Sequence, residues 1–220
     1  QRANDILEAA RRLFESKGFL NTTLADVAKE AEISVGLIYR YFQSKEDMFA
    51  SLALKGAEQF DSDIQVIFKR ALSSRKRHHP RDVLSEIAQG FFAFYGPYGE
   101  YFDMLLYSYK GMKQVQIQGN TVTKLMSVTL MSLDRLKDFL LESPQFRAKD
   151  EDEALRVAFM LWGTLLGIHK LFDTTGRGHL FAYNREDFVK QVIDQVLVGI
   201  AHPVEMFEPS RPGLTEKRLS

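Results

Sequence analysis

Cysteine is missing from all 220 residues. That excludes disulfides, thiolate nucleophiles and thiolate-held metals, and it suits a reducing compartment. Charge of one sign is missing too, because 29 basic residues balance 29 acidic ones. The chain as a whole is no polycation, so contact with nucleic acid must come from local placement of charge. Long hydrophobic runs are also absent. No uncharged stretch is longer than Val157 to His169, which falls well short of the roughly 20 residues that a membrane-spanning helix needs. The first residues, Gln1-Arg2-Ala3-Asn4, enter a helical pattern without a signal-peptide apolar core, so a soluble cytoplasmic protein is expected. The chain does not begin with Met, which leaves room for a short N-terminal arm. No stretch alternates as a half-buried strand does, and no internal repeat is visible.

What is present is apolar residues, 45% of the chain, set at helical spacing. Ile6, Ala9, Ala10, Leu13 and Phe14 form one stripe at i, i+3, i+4, i+7 and i+8, and Gly18 is placed to end that helix in a left-handed cap. Thr23 and Asp26 have capping-box spacing ahead of a second helix with a buried face of Leu24, Val27, Ala28 and Ala31. Glu32-Ile33-Ser34 make a three-residue turn. Ser34 then N-caps a third helix that reaches about Tyr41, and Phe42 is its core residue. Ser44 and Asp47 make a second capping box for a long helix from Lys45 to about Leu72, roughly 42 Å at about 1.5 Å per residue. Helices are expected to resume at about 81–95, 98–113, 117–142, 151–172 and 185–201. Pro97, Gly119, Pro144 and Gly176-Arg177-Gly178 are the expected breaks. The basic segment Ser73 to Pro80 reads as a solvated connector or a phosphate-contacting patch. From Pro203 the chain is expected to be irregular.

Two short helices joined by three residues make a rigid corner whose second member suits a major groove. The small Ala28 lets the helices cross closely, and Ile33 and Ile38 fill the space beneath. Val35, Gly36, Tyr39 and Arg40 face outward. Gly36 lets the backbone approach base edges, and Val35 suits a thymine methyl. Arg40 pairs with guanine or with a phosphate, and both readings stay open. Tyr39 and Tyr41 can donate to phosphates. Thr22, Thr23, Ser34 and Lys45 lie at helix N-termini, where free amides favour an anion. Residues 1–50 nevertheless hold seven Lys and Arg against eight Asp and Glu. Affinity must therefore rest on a few positioned cations, helix ends and hydroxyls. A single copy with so few contacts binds weakly, which points to a dimer.

Residues 6–52 resemble the DNA-binding domain of TetR/AcrR-family transcriptional regulators. The resemblance is carried by Ile6 to Phe14, Gly18-Phe19, Thr22-Thr23, Val27-Ala28 to Ala31, Ser34-Val35-Gly36, Ile38 to Phe42 and Ser44-Lys45-Glu46, and it covers about a fifth of the chain. One departure is Glu32, where the family often has Gly. The resemblance implies a homodimer in which each subunit reads half of a roughly palindromic double-stranded operator, usually as a repressor.

The expected fold is all-α: a three-helix DNA-binding domain at 1–50, a larger helical effector-binding and dimerisation domain at 51–202, and a tail at 203–220. Residues 91–112 are dense in aromatics and Met, which fits core packing or the lining of an apolar pocket. Candidate ligand contacts are Phe94, Tyr98, Phe102, Leu105, Tyr109, Met126, Leu130, Trp162 and His169. His169 reads either as a polar anchor or as a satisfied core histidine. The apolar stretches carry no charged cluster, so a lipophilic effector is expected. For the dimer interface, Leu155, Phe159, Gly163, Leu166 and Gly167 on one helix and Val189, Val192 and Val196 on the next suit a four-helix bundle across a twofold axis. Their alternative is to cover the monomer core. No cofactor is expected, and the pair His78-His79 lacks further ligands at metal spacing. Two rival readings are a protein of this fold that binds partners but not DNA, and an enzyme using the helical pocket. The enzyme reading lacks a nucleophile–base pair and a phosphate-cradling loop, and Glu100 and Asp103 on one helix face read as solvated surface.

Overall fold

The computed structural model describes residues 2–73, 79–107, 119–143, 150–174 and 184–201; at 98–107, 119, 173–174 and 199–201 it describes the backbone alone. The fold is all-α. The helices are α1 (Arg2–Lys17), α2 (Leu24–Glu30), α3 (Val35–Ile38), α4 (Lys45–Ser73), α5 (Pro80–Tyr107), α6 (Gly119–Glu142), α7 (Glu151–His169) and α8 (Arg185–Ala201). A π-helical turn, Lys170–Thr174, continues α7. The connector within 74–78, the loops holding Pro144 and Gly176 to Gly178, and the tail from Pro203 lie outside the described residues.

The N-terminal corner follows from local chemistry. Gly18 has φ +80°, and its amide donates to Phe14 O at 3.0 Å, which closes α1 in a left-handed cap. Thr23 caps α2: its hydroxyl accepts from Asp26 N while the Asp26 carboxylate accepts from the Thr23 amide. Those hydrogen bonds from Thr23, with Lys17 adding a nearby charge, hold the Asp26 carboxyl below its ordinary range. At the other end of α2, Ile33 N donates to Ala28 O and Glu32 N to Lys29 O. This is the two-bond Schellman pattern, and it demands a left-handed residue between them. Glu32 is that residue, at φ 54°. A side chain there costs roughly 1 to 2 kcal/mol. Glu32→Gly is therefore expected to stabilise the protein by about 1 kcal/mol, part of the gain being lost to glycine's extra freedom in the unfolded chain. Chemical denaturation of the two proteins side by side tests this, and an unchanged or lower midpoint would refute it.

Ser34 caps α3, its hydroxyl accepting from Leu37 N at 3.3 Å. Regular α-helix stops at Ile38 rather than near Tyr41, and tighter turns from Leu37 O to Arg40 N and Ile38 O to Tyr41 N carry the chain to Phe42. Beneath this corner a small core joins Ile6, Ala10, Leu13, Val27, Ala28, Ile38, Phe42, Met48 and Leu52. Ile38 and Ile6 are fully buried, each burial being worth about 1.5 to 3 kcal/mol.

α4 runs through both parts of the molecule. Met48 and Leu52 belong to the small core, whereas Phe49, Ala53, Ala57, Phe60 and Ile64 belong to a larger one built from α4 to α8. The boundary expected at residue 50 thus falls inside one continuous helix. α5 also runs unbroken past Pro97, where a break is expected. Pro97 lacks the amide that would bond Ala93 O. Ala93 and Pro97 are both exposed, so water can serve the freed carbonyl, while buried Phe91, Phe92, Phe94 and Tyr95 anchor the preceding turns. Gly90 lets α5 close on α4, since a Cβ there would stand 3.3 Å from the Phe60 ring. The segment Glu151–Phe172 is long and apolar enough to cross a membrane by length and composition. It buries Ala154, Val157, Ala158, Leu161 and Ile168 within the bundle core.

Candidate nucleic-acid interface and effector crevice

The outer surface of α3 presents Tyr39, 59% exposed, with exposed Gly36 and Arg40 and half-buried Val35 beside them. Tyr41 is 40% exposed, while its neighbour Phe42 is buried. A Cβ added to Gly36 would meet only Ser34 Oγ, at 4.0 Å. Nothing inside the protein therefore requires glycine, although glycine in a helix costs about 1 kcal/mol relative to alanine. Open space on the outside is where a close-approaching surface would need it.

The cations sort into committed and available ones. Arg11 is clamped between Glu8 and Glu15, Arg12 ties α1 to Glu30 of α2 at 3.1 Å, and Lys17 faces Asp26 at 3.6 Å. Among the described residues Arg2, Lys29 and Arg40 enter no ion pair, and Arg40 alone of these lies at the end of the α3 turn.

Two expected phosphate ligands are placed elsewhere. Lys45 turns its ammonium inward, donating to Phe19 O at 2.9 Å, Thr22 O at 3.1 Å and Leu20 O at 3.5 Å. It also sits 4.4 Å from the Phe19 ring centroid. An ammonium has three hydrogens, and here three carbonyls take them, so Lys45 clasps the α1–α2 loop onto the start of α4. Thr22 is fully buried, and its hydroxyl donates to Gly18 O at 2.8 Å. Carbonyls of the turn after α1 take both side chains, and Phe19 O also accepts from the Thr22 amide at 3.2 Å. Thr23 and Ser34 remain exposed at their caps. At α4, Ser44 Oγ accepts from Asp47 N and the buried Asp47 carboxylate accepts from Gln43 N.

In the larger domain a narrow apolar crevice, with a cavity volume of about 40 Å³, runs between α4, α5, α6 and α7. Phe60 and Ile64 of α4, Leu84, Ile87 and Phe91 of α5, Leu133 and Leu136 of α6, and Leu161, Trp162 and Leu165 of α7 line it. Of the expected ligand contacts whose side chains are described, only Trp162 lines this crevice. Phe94 is buried with its ring stacked on Phe60 at 5.8 Å, and His169 is buried edge-on to Tyr95 at 5.1 Å. Met126 and Leu130, placed at the pocket by the sequence, are 48% and 56% exposed. α6 turns Leu125, Ser132, Leu133 and Leu136 inward, and helical geometry then carries positions 126 and 130 to the outer face. The side chains of Tyr98, Phe102 and Leu105, and all of Tyr109, lie outside the described residues.

The crevice residues missed in the sequence are ordinary apolar core positions, which carry no distinguishing signal. One signal was available: Asp61 interrupts the buried stripe of α4. Its carboxylate accepts from Arg135 Nε at 2.8 Å and from Ser132 Oγ at 3.1 Å, both on α6, and from Gln65 Nε2 at 3.1 Å.

On α7, Leu155, Phe159 and Met160 are 37%, 50% and 58% exposed. Gly163 and Gly167 are exposed along the same helix, with open space where a Cβ would stand. Leu166, Val192 and Val196 are half-buried against the core. Val189 is 5% exposed. It faces its own monomer core rather than an outer surface, because α8 packs that side onto α5.

A short capped corner with an exposed reader helix, on a helical bundle with its own crevice, defines the helix-turn-helix class of DNA-binding folds. The family model for bacterial regulatory proteins of the tetR family matches residues 6–52. Residues 6–52 thus carry the DNA-binding domain of that family. The regulator HbdR of Aromatoleum sp. (strain CIB) is 44% identical over 48 residues, which are 22% of this chain and 21% of HbdR. AcrR of Shigella flexneri is 40% identical over 47 residues, 21% of this chain and 22% of AcrR. The chain thus aligns with about a fifth of the length of these relatives. Solved structures extend the likeness to the whole fold. A Rhodococcus sp. RHA1 protein of unknown function superposes with a TM-score of 0.67 at 17% identity, over 92% of this chain and 96% of that one. FadR of Bacillus subtilis, solved with stearoyl-CoA, gives 0.61 at 18% identity over 89% and 98%.

Proposed function

We propose that the protein is a transcriptional regulator, a repressor, that binds a palindromic operator as a homodimer and is released by a lipophilic small molecule. The exposed α3 surface carries the DNA reading, above all a glycine at position 36 that the protein's own packing does not require. α3 enters the major groove, Arg40 supplies the cation, and the capped starts of α2 and α3 offer amides and hydroxyls to the backbone. The exposed α7 stripe supports the dimer. Half-sites lie about 34 to 36 Å apart in simple helix-turn-helix dimers, so a tilt of α4 by a few Å would prevent both copies from docking. The apolar crevice abuts α4 at Phe60 and Ile64. An effector that favours the tilted state would therefore lower operator affinity. FadR, a protein of this fold, holds a molecule with a long alkyl chain, which is the kind of ligand an apolar crevice admits. This assigns 1–50 to DNA binding and the bundle from 51 onward to effector and dimer contacts, and it places the protein with its DNA in the cytoplasm.

Selection of genomic fragments by the purified protein, followed by titration at several salt concentrations, tests the reading. A palindromic site preferred over random duplex, with affinity falling as salt rises, is the expected result. Equal affinity for selected and random duplex would leave only the partner-binding alternative. With the site in hand, Arg40→Ala should weaken specific binding by about 1 to 3 kcal/mol per half-site if its guanidinium is bidentate to guanine. An unchanged dissociation constant and base preference would remove Arg40 from the reading set.

A further inference from the structure

Lys45 is the first residue of α4, and its ammonium gives its hydrogens to Phe19 O, Thr22 O and Leu20 O. None is left for a phosphate. What the arrangement does follows from where those carbonyls lie. Thr22 O shares one planar peptide unit with the Thr23 amide, and that amide donates to the Asp26 carboxylate at 2.9 Å. The ammonium at the start of α4 therefore holds the very peptide that caps α2. Phe19 O also accepts from Thr22 N, at 3.2 Å. One turn beyond Lys45, Phe49 meets the same loop, its ring edge-on to Phe19 at 5.5 Å. Phe14 of α1 completes the cluster, 5.2 Å from the Phe19 ring and 5.7 Å from the Phe49 ring.

We infer that Lys45 is a positioning residue for operator binding: it locks the start of α2 to the start of α4, and so sets the angle at which α3 meets the groove, without touching DNA itself. The inference rests on the reading of α3 as the DNA reader. The small core holds the other end of the corner, where Ile38 and Phe42 pack with Met48 of α4. One point of attachment lets a pair of short helices swing. The second point, at Lys45, removes that freedom. Lysine suits the place because one ammonium directs three hydrogens to carbonyls around it. The planar guanidinium of arginine, with its donors in a fixed fork, cannot. Since α4 runs through both cores as one helix, a tilt of its body would pull on α2 through this lysine.

The experiment titrates the full protein, wild type, Lys45→Met and Lys45→Arg, with the selected operator at several salt concentrations. Both variants are expected to bind about tenfold more weakly at every salt concentration, because heads that swing lower the effective concentration of the second reader at its half-site. The slope of log affinity against log salt should stay that of wild type. A phosphate ligand behaves differently: Lys45→Met would flatten the slope by about 0.9 for each copy, and Lys45→Arg would keep wild-type affinity. Amide hydrogen exchange on the free protein gives the second readout. In both variants the Thr22 and Thr23 amides should lose protection, while those of Leu37 and Phe42, bonded to Ser34 O and Ile38 O, keep theirs. A flattened slope, wild-type affinity in either variant, or equal loss of protection at Leu37 and Phe42 overturns the inference. Exchange needs no DNA, so failure of the regulator reading and failure of the clasp give different results.

Discussion

Gly36→Ala is expected to make the protein more stable and a much poorer DNA binder. The two effects have one cause. Position 36 lies in a four-residue helix with only Ser34 Oγ near the added methyl, at 4.0 Å. Alanine gains up to about 1 kcal/mol over glycine in a helix, and no core atom must move to admit it. In the groove the same methyl stands where the helix backbone comes closest to the base edges. The reader must then back away, and contacts each worth about 1 to 3 kcal/mol stretch or break. A dimer carries two copies, so the loss is incurred twice. Thermal unfolding and operator titration by fluorescence anisotropy check the two halves. Gly36→Leu should extend the binding loss further. A variant that keeps wild-type operator affinity would remove α3 from the groove, and one that unfolds would mean the glycine has an internal role.

Phe159→Glu is expected to leave a folded monomer that no longer holds the operator. Phe159 is half exposed on α7, four residues from Leu155 and from Gly163. The two glycines, at 163 and 167, leave open space into which a twofold-related helix can pack closely. A carboxylate on each side of such a seam would sit in apolar surroundings next to its own symmetry copy, at a cost of several kcal/mol. In the free monomer the same carboxylate faces water and costs little. Separated subunits lose the effective concentration that couples two half-sites, so operator affinity should fall by about 10² to 10⁴-fold. Sedimentation velocity reads the mass, and anisotropy reads the affinity. A Phe159→Glu protein that stays dimeric would move the interface off α7.

These expectations differ in how much of their basis could be read along the chain. Gly18, Thr23, Asp26, Ser34 and the turn at Glu32 act within five residues of their partners. Local hydrogen-bond chemistry determines them, and the sequence states them directly. The helix periods likewise identify the buried faces of α1, α2 and the start of α4. The family likeness is legible for the same reason, because it is carried by that capped corner. Lys45 meets carbonyls more than 20 residues away, Phe19 O and Thr22 O, so its inward turn depends on the loop folding back on α4.

By itself, the sequence determined an all-helical chain, its capped N-terminal corner and the outward set Gly36, Tyr39 and Arg40, whereas Val35, expected outside, is half-buried against the small core. Only the tertiary structure decided which of many equivalent apolar residues enclose a crevice. It alone placed Met126, Leu130 and Val189 on the faces opposite to those expected, carried α5 past Pro97, and paired Asp61 with Ser132 and Arg135 across some 70 residues of sequence. The physical reason is that hydrogen bonds and caps act between near neighbours, whereas a cavity and a buried ion pair exist only where whole helices meet.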